Sequence, residues 1–431
     1  MANVENLGTL ERRVSVALAA DEIERQVDER LKKLARQVRM PGFRPGKVPL
    51  KLVAQTYGPQ VRSEVLGDAV QKGFSTAVKE ANLKVAGYPK FEKAKDKDLE
   101  FSATFEIYPE VKVGDLAGAT IERPQLEVDD AAVDKTIEIL RKQRTRYEPA
   151  ERPARDSDRV VVDFQGTIDG QPFAGGEAKD FVFTIGEGRM LPAFETAARG
   201  MSPGENKTFE LEFPADYHGK EVAGKKASFA MNLKRIEEPR VPDLDAEFAK
   251  SLGVADGDLG KMRAEIRANV EREVKKRVES RLKEQALQRL LEASPFEVPK
   301  SLVGMEATSM AERAIADLKA RGVNPEQVPI NADAFQETAR RRVSLGLIIA
   351  ELQDRENLKP KPAEVRALIE QEAQSYEKPA EVVKWFYMQP QRLSEMEALA
   401  LETNVVKWVL TKAKVLDKPV TFDELMGGAS S

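Results

Sequence analysis

The only histidine in this chain of 431 residues is His218, so only one side chain has an ordinary pKa close to neutral pH. Cysteine is absent, which excludes disulfides, thiolate catalysis and cysteine-based metal sites. His218 lies between Tyr217 and Gly219, in a predicted loop with no nucleophile elbow near it in sequence. We therefore expect a pocket-rim or turn-stabilising role for His218 instead of acid–base catalysis, and no metal or other cofactor.

A second group of chemically significant residues forms a basic loop near the N-terminus. The loop, Pro41 to Pro49, contains three prolines and two glycines, which favour stacked turns over helix or strand, and Phe43 lies at its tip. A solvated basic helix followed by a turn would produce the same pattern. The loop and its flanks carry eight cations with no acidic residue between them, and such a run suggests phosphate as the partner. These cations are Arg30, Lys32, Lys33, Arg36, Arg39, Arg44, Lys47 and Lys51.

The tip of this loop resembles the ribosome-docking signature of the trigger factor family, bacterial chaperones found at the nascent-chain exit. The matching residues are Gly42, Phe43, Arg44, Pro45, Gly46 and Lys47, with Pro45 at a position where the family often has lysine. The length, the central segment and the long charged helical half follow in the same order as in the family. The resemblance therefore covers nearly the whole chain.

The central segment alternates strands, loops and one short helix and is rich in phenylalanine. This pattern is also typical of the core of a small α+β domain. The segment resembles FKBP-type prolyl isomerases, with Phe194 where many of them have tryptophan and Ala174 where aspartate is common. The resemblance implies that eight residues line an apolar proline pocket and are the catalytic ones. They are Phe164, Phe173, Phe181, Met190, Leu191, Phe194, Tyr217 and Phe229.

Such a pocket needs no nucleophile. Rotation about an X-Pro bond is slow because amide resonance is lost, which raises a barrier of about 18–20 kcal/mol. An apolar, water-poor pocket can accept the proline ring and favour the twisted imide, which depends less on hydration.

The elements that position these residues follow from periodicity. Val14, Val16 and Leu18 predict a strand, and Asp21 with Glu24 predicts a capping box that begins a helix. That helix has the apolar face Ile23, Val27, Leu31, Leu34 and Val38. Next, Pro49 and Gly58 predict the start and end of a short helix, followed by a second helix from Val61 to Phe74 and a strand from Phe101 to Ile107.

The segment from Val111 to Ala150 is predicted to be extended around Pro124 and then helical from about Asp129. Its apolar stripe of Val133, Ile137 and Leu140 is narrow and needs a partner elsewhere. Segments rich in proline and charge, residues 149–159 and 237–243, are predicted to separate the isomerase-like unit from its neighbours.

The C-terminal half is predicted to be helical. Residues 258–294 contain no proline and can form a rod about 50 Å long. Its apolar residues recur every four positions, from Ile266 to Leu290, so the ridge winds around the helix, as expected of an arm gripped at its ends or of a long surface helix. Further helices are predicted at residues 300–321, 332–357, 361–376 and 391–414, with a disordered tail from Gly427. The cluster Trp385 to Met388 is compatible with core or with an adaptable surface for unfolded chains.

These expectations define a multidomain α+β protein. Residues 1–111 form an α+β docking domain and 112–149 pack on the C-terminal body; the isomerase domain, 150–243, is inserted before the helical chaperone domain, 244–431. The resemblance implies binding to ribosomal protein and rRNA at the exit site and to unfolded or nascent polypeptides, with homodimerisation away from the ribosome. A cytoplasmic protein without a membrane partner is expected, because the longest apolar runs are far shorter than a membrane span.

Two alternatives remain at this stage. One is a free-standing isomerase dimerised by its helical half. The other is an RNA-binding module, formed by the basic N-terminal domain, with the remainder as scaffold.

Overall fold

The computed structural model describes two compact units, built from residues 1–123 with 279–418 and from residues 124–278 with 419–431. The described residues are 3–41, 43, 47–93, 99–217, 219, 221–325, 330–374 and 376–427. None of the helices in these ranges is both long enough and apolar enough to cross a membrane.

In chain order the strands are β1 (Asn3–Asn6), β2 (Glu11–Ala17), β3 (Val85–Lys93), β4 (Glu100–Ile107), β5 (Thr120–Gln125), β6 (Arg146–Ala150), β7 (Arg159–Ile168), β8 (Gln171–Thr184), β9 (Asn206–Glu212), β10 (Lys226–Arg240) and β11 (Lys414–Pro419). The helices are α1 (Ala20–Gln37), α2 (Leu50–Glu80), α3 (Asp130–Gln143), α4 (Pro192–Ala198), α5 (Ala246–Ser251), α6 (Leu259–Glu292), α7 (Lys300–Ala320), α8 (Gln336–Arg355), α9 (Pro362–Ala373), α10 (Pro379–Met388), α11 (Pro390–Lys412) and α12 (Phe422–Met426). A 3-10 turn, Ala332–Phe335, leads into α8.

In the first unit, an antiparallel sheet with strand order β1-β2-β4-β3 forms the N-terminal part. Helix α1 buries Ile23, Val27 and Leu31, as the periodicity predicts. The predicted capping box is wrong, because the helix begins one residue before Asp21 and its N-cap makes no side-chain hydrogen bond. Instead, Asp21 and Glu22 in the first turn interact favourably with the positive N-terminal end of the helix dipole.

The predicted helix end at Gly58 is also wrong, since α2 continues without interruption through Gly58 and Pro59 to Glu80. Val53, before the expected end, packs in the same apolar cluster as Val61 and Val65, after it. Burial of these valines against α1 outweighs the local preference of glycine and proline to end a helix.

The helical part of the first unit has a core that is discontinuous in sequence. Leu116 and Ile121 join Leu287 and Leu290 of α6, and the same cluster includes residues of α8 and α11. The members from α8 and α11 are Ile348, Leu352, Val405, Val406 and Val409. Leu116, before β5, and Ile121, in β5, are thus buried by helices that follow them by more than 160 positions.

In the second unit, the narrow apolar stripe of α3 packs against α5 and the start of α6. Asp129 caps this helix by accepting a hydrogen bond from Ala132 N at 2.8 Å. Val133 and Ile137 are buried with Phe248 of α5 and with Met262 and Ile266 at the start of α6. Residues before and after the central strands therefore share one core.

Helix α6 is one rod of 34 residues, about 51 Å long. Val270 and Val274 are buried in the core of the second unit, and Ala286 and Leu290 in that of the first. Val278 and Leu282, between them, are only partly buried. The four-residue spacing therefore serves two separate cores, one for each end of the helix.

The central strands form a sheet with order β6-β10-β7-β8, and β9 also pairs with β10. The expected break at residues 237–243 is partly wrong, because β10 runs to Arg240 and Pro239 lies opposite Tyr147 of β6. The segment around Pro149 is likewise part of β6. The chain thus enters and leaves the central sheet on adjacent antiparallel strands.

Glu106 of β4 ties the N-terminal sheet to the start of α7. Its carboxylate accepts hydrogen bonds from Lys300 N at 3.0 Å and Ser301 N at 2.6 Å, and Ser301 Oγ donates to Ala86 O at 3.0 Å. The preceding Pro299 provides no side-chain cap. Burial raises the pKa of Glu106, but the hydrogen bonds from Ser301 and Lys300 outweigh it and hold the pKa below 4.5.

We expect Glu106→Gln to lower the free energy of unfolding by about 1 kcal/mol, the usual cost of losing a helix cap. Because the folded pKa is depressed, this contribution is complete above the ordinary value of 4.5 and is lost as pH falls through the folded value. Urea unfolding of both proteins at pH 7 and pH 3.5 measures it. The exposed Glu110→Gln is the control, and a pH-independent difference would contradict the assignment.

Candidate functional site

The structure brings the eight predicted pocket residues into one apolar cluster around the central sheet. Phe164 comes from β7, Phe173 and Phe181 from β8, and Phe229 from β10. Phe194 lies on α4, and the remaining three come from the loops before α4 and after β9. Strand pairing places Phe164 beside Met231 and Phe229 beside Gly166, which sets the spacing of the rings.

Phe229 is the centre of this cluster. Its ring centroid lies 4.8 Å from that of Phe194, 5.9 Å from Phe164 and 6.0 Å from Phe173, all in edge-to-face geometry. Phe164 in turn contacts Phe194 at 5.1 Å and Phe181 at 5.6 Å. Edge-to-face packing adds directional stabilisation to apolar burial, so the rings hold one another in place.

The eight residues differ in burial, and we call the two buried ones the floor of the cluster and the six partly buried ones its rim. Phe194 and Phe229 are 4% and 3% exposed, whereas the other six predicted residues are only partly buried. A group that enters between the partly buried side chains would therefore meet a floor already packed from behind. This arrangement suits a flat apolar ring.

Three further aromatic residues, Phe183, Phe209 and Phe213, belong to the cluster and were not among the eight predicted. Phe209 stacks on Phe229 at 5.9 Å and contacts Phe194 at 5.1 Å. Phe213 contacts Phe173 at 6.0 Å and Tyr217 at 4.9 Å. The signal was present, because Phe209, Leu211 and Phe213 alternate with glutamates and so face one side of a strand.

Gly166 allows the central ring to lie where it does. A Cβ atom at this position would be 2.5 Å from Cε1 and 2.7 Å from Cζ of Phe229, the residue directly opposite on β10. Real side chains do not approach so closely, and the ring of Phe229 therefore occupies the space that any other residue at 166 would need.

The same domain contains a hydrogen-bonded network of charged side chains. Asp158, 1% exposed, accepts hydrogen bonds from Arg152 at 2.6 and 2.9 Å and from Arg155 N at 2.8 Å. Arg152 also donates to Glu238 at 3.1 Å. The hydrogen bond to Asp158, opposed by burial and reinforced by Glu238, raises the pKa of Arg152 well above its ordinary value. This network joins the entering and leaving strands.

In the described part of the chain, no group of three or more His, Asp or Glu residues could hold a metal ion. His218 lies outside the described residues. The ring cluster offers an apolar surface made of the aromatic side chains named above.

The basic loop is described in part. Phe43 is 41% exposed and Lys47 is exposed, whereas Val48 is buried in the core of the α1–α2 pair. Gly42, Arg44, Pro45 and Gly46 lie outside the described residues. The described side chains thus present one aromatic ring and one cation next to an anchored valine.

Comparisons with known families match three parts of the chain. "Bacterial trigger factor protein (TF)" matches residues 1–140, and "Bacterial trigger factor protein (TF) C-terminus" matches residues 258–411. "FKBP-type peptidyl-prolyl cis-trans isomerase" matches residues 150–234. The trigger factor of Aromatoleum aromaticum is 54% identical over 429 residues, which cover 99% of each chain.

The chain belongs to the trigger factor family. The trigger factors of Nitrosospira multiformis and Azoarcus sp. agree with this assignment, with 56% and 54% identity over at least 97% of each chain. Members of the family are ribosome-associated chaperones with an FKBP-type prolyl isomerase domain. Because the similarity spans the full length, neither a free-standing isomerase nor an RNA-binding scaffold is favoured.

These comparisons confirm the fold class, a multidomain α+β chain with an FKBP-type domain between the N-terminal and helical C-terminal regions. They also confirm that the central segment belongs to the FKBP-type peptidyl-prolyl isomerases.

We expect Gly166→Ala to displace the ring of Phe229 and to lower the free energy of unfolding by about 1–3 kcal/mol, the usual cost of overpacking a core. Urea unfolding followed by circular dichroism measures this change. Gly118→Ala is the matched control, because a Cβ there meets nothing within 4 Å. Equal stabilities of the two variants would contradict the close approach of the ring.

Proposed function

We propose that the eight predicted pocket residues bind the proline ring of a polypeptide and catalyse cis/trans isomerisation of the X-Pro bond. The observation that carries this proposal is the aromatic cluster centred on Phe229, with a buried floor and a partly buried rim. An apolar environment lowers the barrier by favouring the twisted imide, whose charge separation is smaller than that of the planar amide. No covalent bond is made or broken.

Phe209 and Phe213 extend this proposed site. Both contact Phe229, and Phe213 also contacts Tyr217 at the rim. They support the pocket from the side of β9, so their role is to fix the positions of residues that touch the substrate.

The proposed docking element is the loop that includes Gly42, Phe43, Arg44, Pro45, Gly46 and Lys47. The exposed Phe43 supports contact with an apolar site on a ribosomal protein, and the cations from Arg30 to Lys51 support contact with rRNA phosphates. The chain would then act in the cytoplasm, where it meets nascent polypeptides.

The proposed client surface includes the exposed face of α10. Trp385 is 40% exposed, Tyr387 45% and Met388 80%, whereas Phe386 is buried. Arg392 stacks on Trp385 with its guanidinium carbon 3.9 Å from the ring centroid. Aromatic and methionine side chains suit many different apolar partners, and we propose that such surfaces also allow self-association away from the ribosome.

The proposed domain division is residues 1–111, 112–149, 150–243 and 244–431. It is supported by the pairing of β6 with the end of β10, which brings the two ends of the isomerase segment side by side. It is also supported by the burial of Val133 and Ile137 with residues after position 244.

We expect Phe194→Ala to lower kcat/KM for X-Pro peptides at least about tenfold, which corresponds to a loss of about 1.4 kcal/mol of transition-state stabilisation. Phe105→Ala, an equally buried phenylalanine of the N-terminal sheet, is the matched control and leaves isomerase activity unchanged. His218→Gln is expected to retain activity, with a rate nearly flat between about pH 6 and 8. A bell-shaped profile, or a large loss in folded His218→Gln, would replace this mechanism with an acid–base one.

We expect the triple variant Phe43→Ala, Arg44→Ala and Lys47→Ala to lose co-sedimentation with ribosomes. Each lost phosphate contact lowers the slope of log K against log salt concentration by about one. The matched control replaces Tyr88, Lys79 and Lys84 by alanine, which removes one exposed aromatic ring and two exposed cations from the same domain. Ribosome binding that is equal in both triple variants would refute the docking proposal.

A further inference from the structure

Glu195 is a buried acidic residue on α4, beside residues of the apolar core. It follows the pocket floor Phe194 on α4 and is only 8% exposed. Burial of a carboxylate is costly unless hydrogen bonds replace its hydration. Both oxygens of Glu195 have such bonds: Oε2 accepts from Gly186 N and Oε1 from Gly188 N, each at 3.0 Å.

The two glycines belong to the turn that connects β8 to α4. Both have positive φ, +91° at Gly186 and +68° at Gly188, which glycine adopts without strain. The turn leads directly to Met190 and Leu191, which pack against the aromatic cluster. A further hydrogen bond, from Phe194 N to Leu191 O at 2.8 Å, closes the segment onto the helix.

The short helix α4 thus carries two residues with different roles. One is Phe194 of the floor; the other is Glu195, whose two hydrogen bonds to Gly186 and Gly188 we call the clamp. Phe194 forms the floor, and the next residue fixes the backbone that delivers Met190 and Leu191 to the wall. Two charge-assisted hydrogen bonds to one carboxylate restrict both the distance and the direction of the turn. An apolar side chain at position 195 would offer no acceptor to either glycine.

We infer that Glu195 is a positioning residue for prolyl isomerisation, which sets the height of the Met190–Leu191 wall above the Phe194 floor. This inference rests on the proposed function of the aromatic pocket. Since isomerisation depends on how closely the pocket fits the twisted imide, a wall displaced by a fraction of an ångström slows the reaction while the ring can still enter. The effect of removing the clamp therefore falls mainly on kcat.

The test uses the full-length chain carrying Glu195→Gln, which keeps the length of the side chain and replaces one acceptor oxygen by an amide donor. We expect kcat for X-Pro peptides to fall about tenfold, while KM changes less than about twofold. In ¹⁵N-glycine-labelled protein, the amide resonance of Gly186 or Gly188 should also move upfield, because one bond to a carboxylate is lost. Activity is normalised to the folded fraction measured by circular dichroism.

The matched control is Glu205→Gln. Glu205 also accepts a hydrogen bond from a backbone N–H, that of Ser202 at 2.8 Å, in a turn of the same domain. Glu205 is exposed, and its turn contributes no residue to the proposed pocket. Its substitution should leave kcat and KM at wild-type values.

If Glu195→Gln does not fold, Glu195→Asp is measured in the same way. Aspartate keeps the charge but is one methylene too short to reach both glycines, so we expect a fall in kcat with one glycine amide unchanged. A wild-type kcat in whichever variant folds, despite a shifted glycine amide, would overturn the inference. Wild-type protein that is active, together with Phe194→Ala that is inactive, shows that the pocket itself is assigned correctly; full activity in Phe194→Ala would refute the pocket instead.

Discussion

The hydrogen-bonded pairing of β10 is the constraint on which the central domain depends. This strand pairs with β7 along most of its length, with β9 through its first part and with β6 through its end. The first part carries Phe229 to the middle of the ring cluster, and the second part returns the chain to the point where it entered. The position of Phe229 and the return of the chain to β6 thus depend on one strand. A shift of register by one residue would turn Phe229 to the opposite face and would also misalign the pairing of β10 with β6.

The proposed isomerase site is one that would work through shape and not through reactive groups. Its rings are held by one another and by the space that Gly166 leaves, and Glu195 holds the turn that precedes Met190 and Leu191. Each of these is a packing or hydrogen-bonding constraint on the folded protein. Catalysis of bond rotation requires a pocket of the right shape that excludes water. The rigidity of the residues around such a pocket is therefore as important for the rate as nucleophiles and bases are in other enzymes.

The helical half divides its apolar residues among several cores. Two smaller ones lie between α7 and α8 and among α9, α10 and α11. Helix α6 supplies Met262 to Val274 to one larger core and Ala286 to Leu290 to another, with the partly buried Val278 and Leu282 between them. Segments distant in sequence complete both larger cores, such as Leu116 with Val409 and Val133 with Phe248. The exposed aromatic residues of α10 remain outside these cores, where an unfolded polypeptide can reach them. Under the proposed function, stability and client binding draw on different apolar residues of the helical half.

The sequence by itself determined the features that depend on local pattern. Periodicity predicted the buried face of α1, the extent of α6 and the start of α3 near Asp129, and the motif resemblance predicted both the family and the cluster of eight pocket residues. It failed where distant contacts outweigh local preference: α2 passes through Gly58 and Pro59 because Val53 and Val61 share a core, and Pro149 and Pro239 lie in strands because β6 and β10 pair. Only the tertiary structure decided that Phe386 points inward while Trp385 and Tyr387 face outward, and that Glu195 serves two glycine amides. The physical reason is the same in each case, since the deciding partner lies in another element and no spacing along the chain records it.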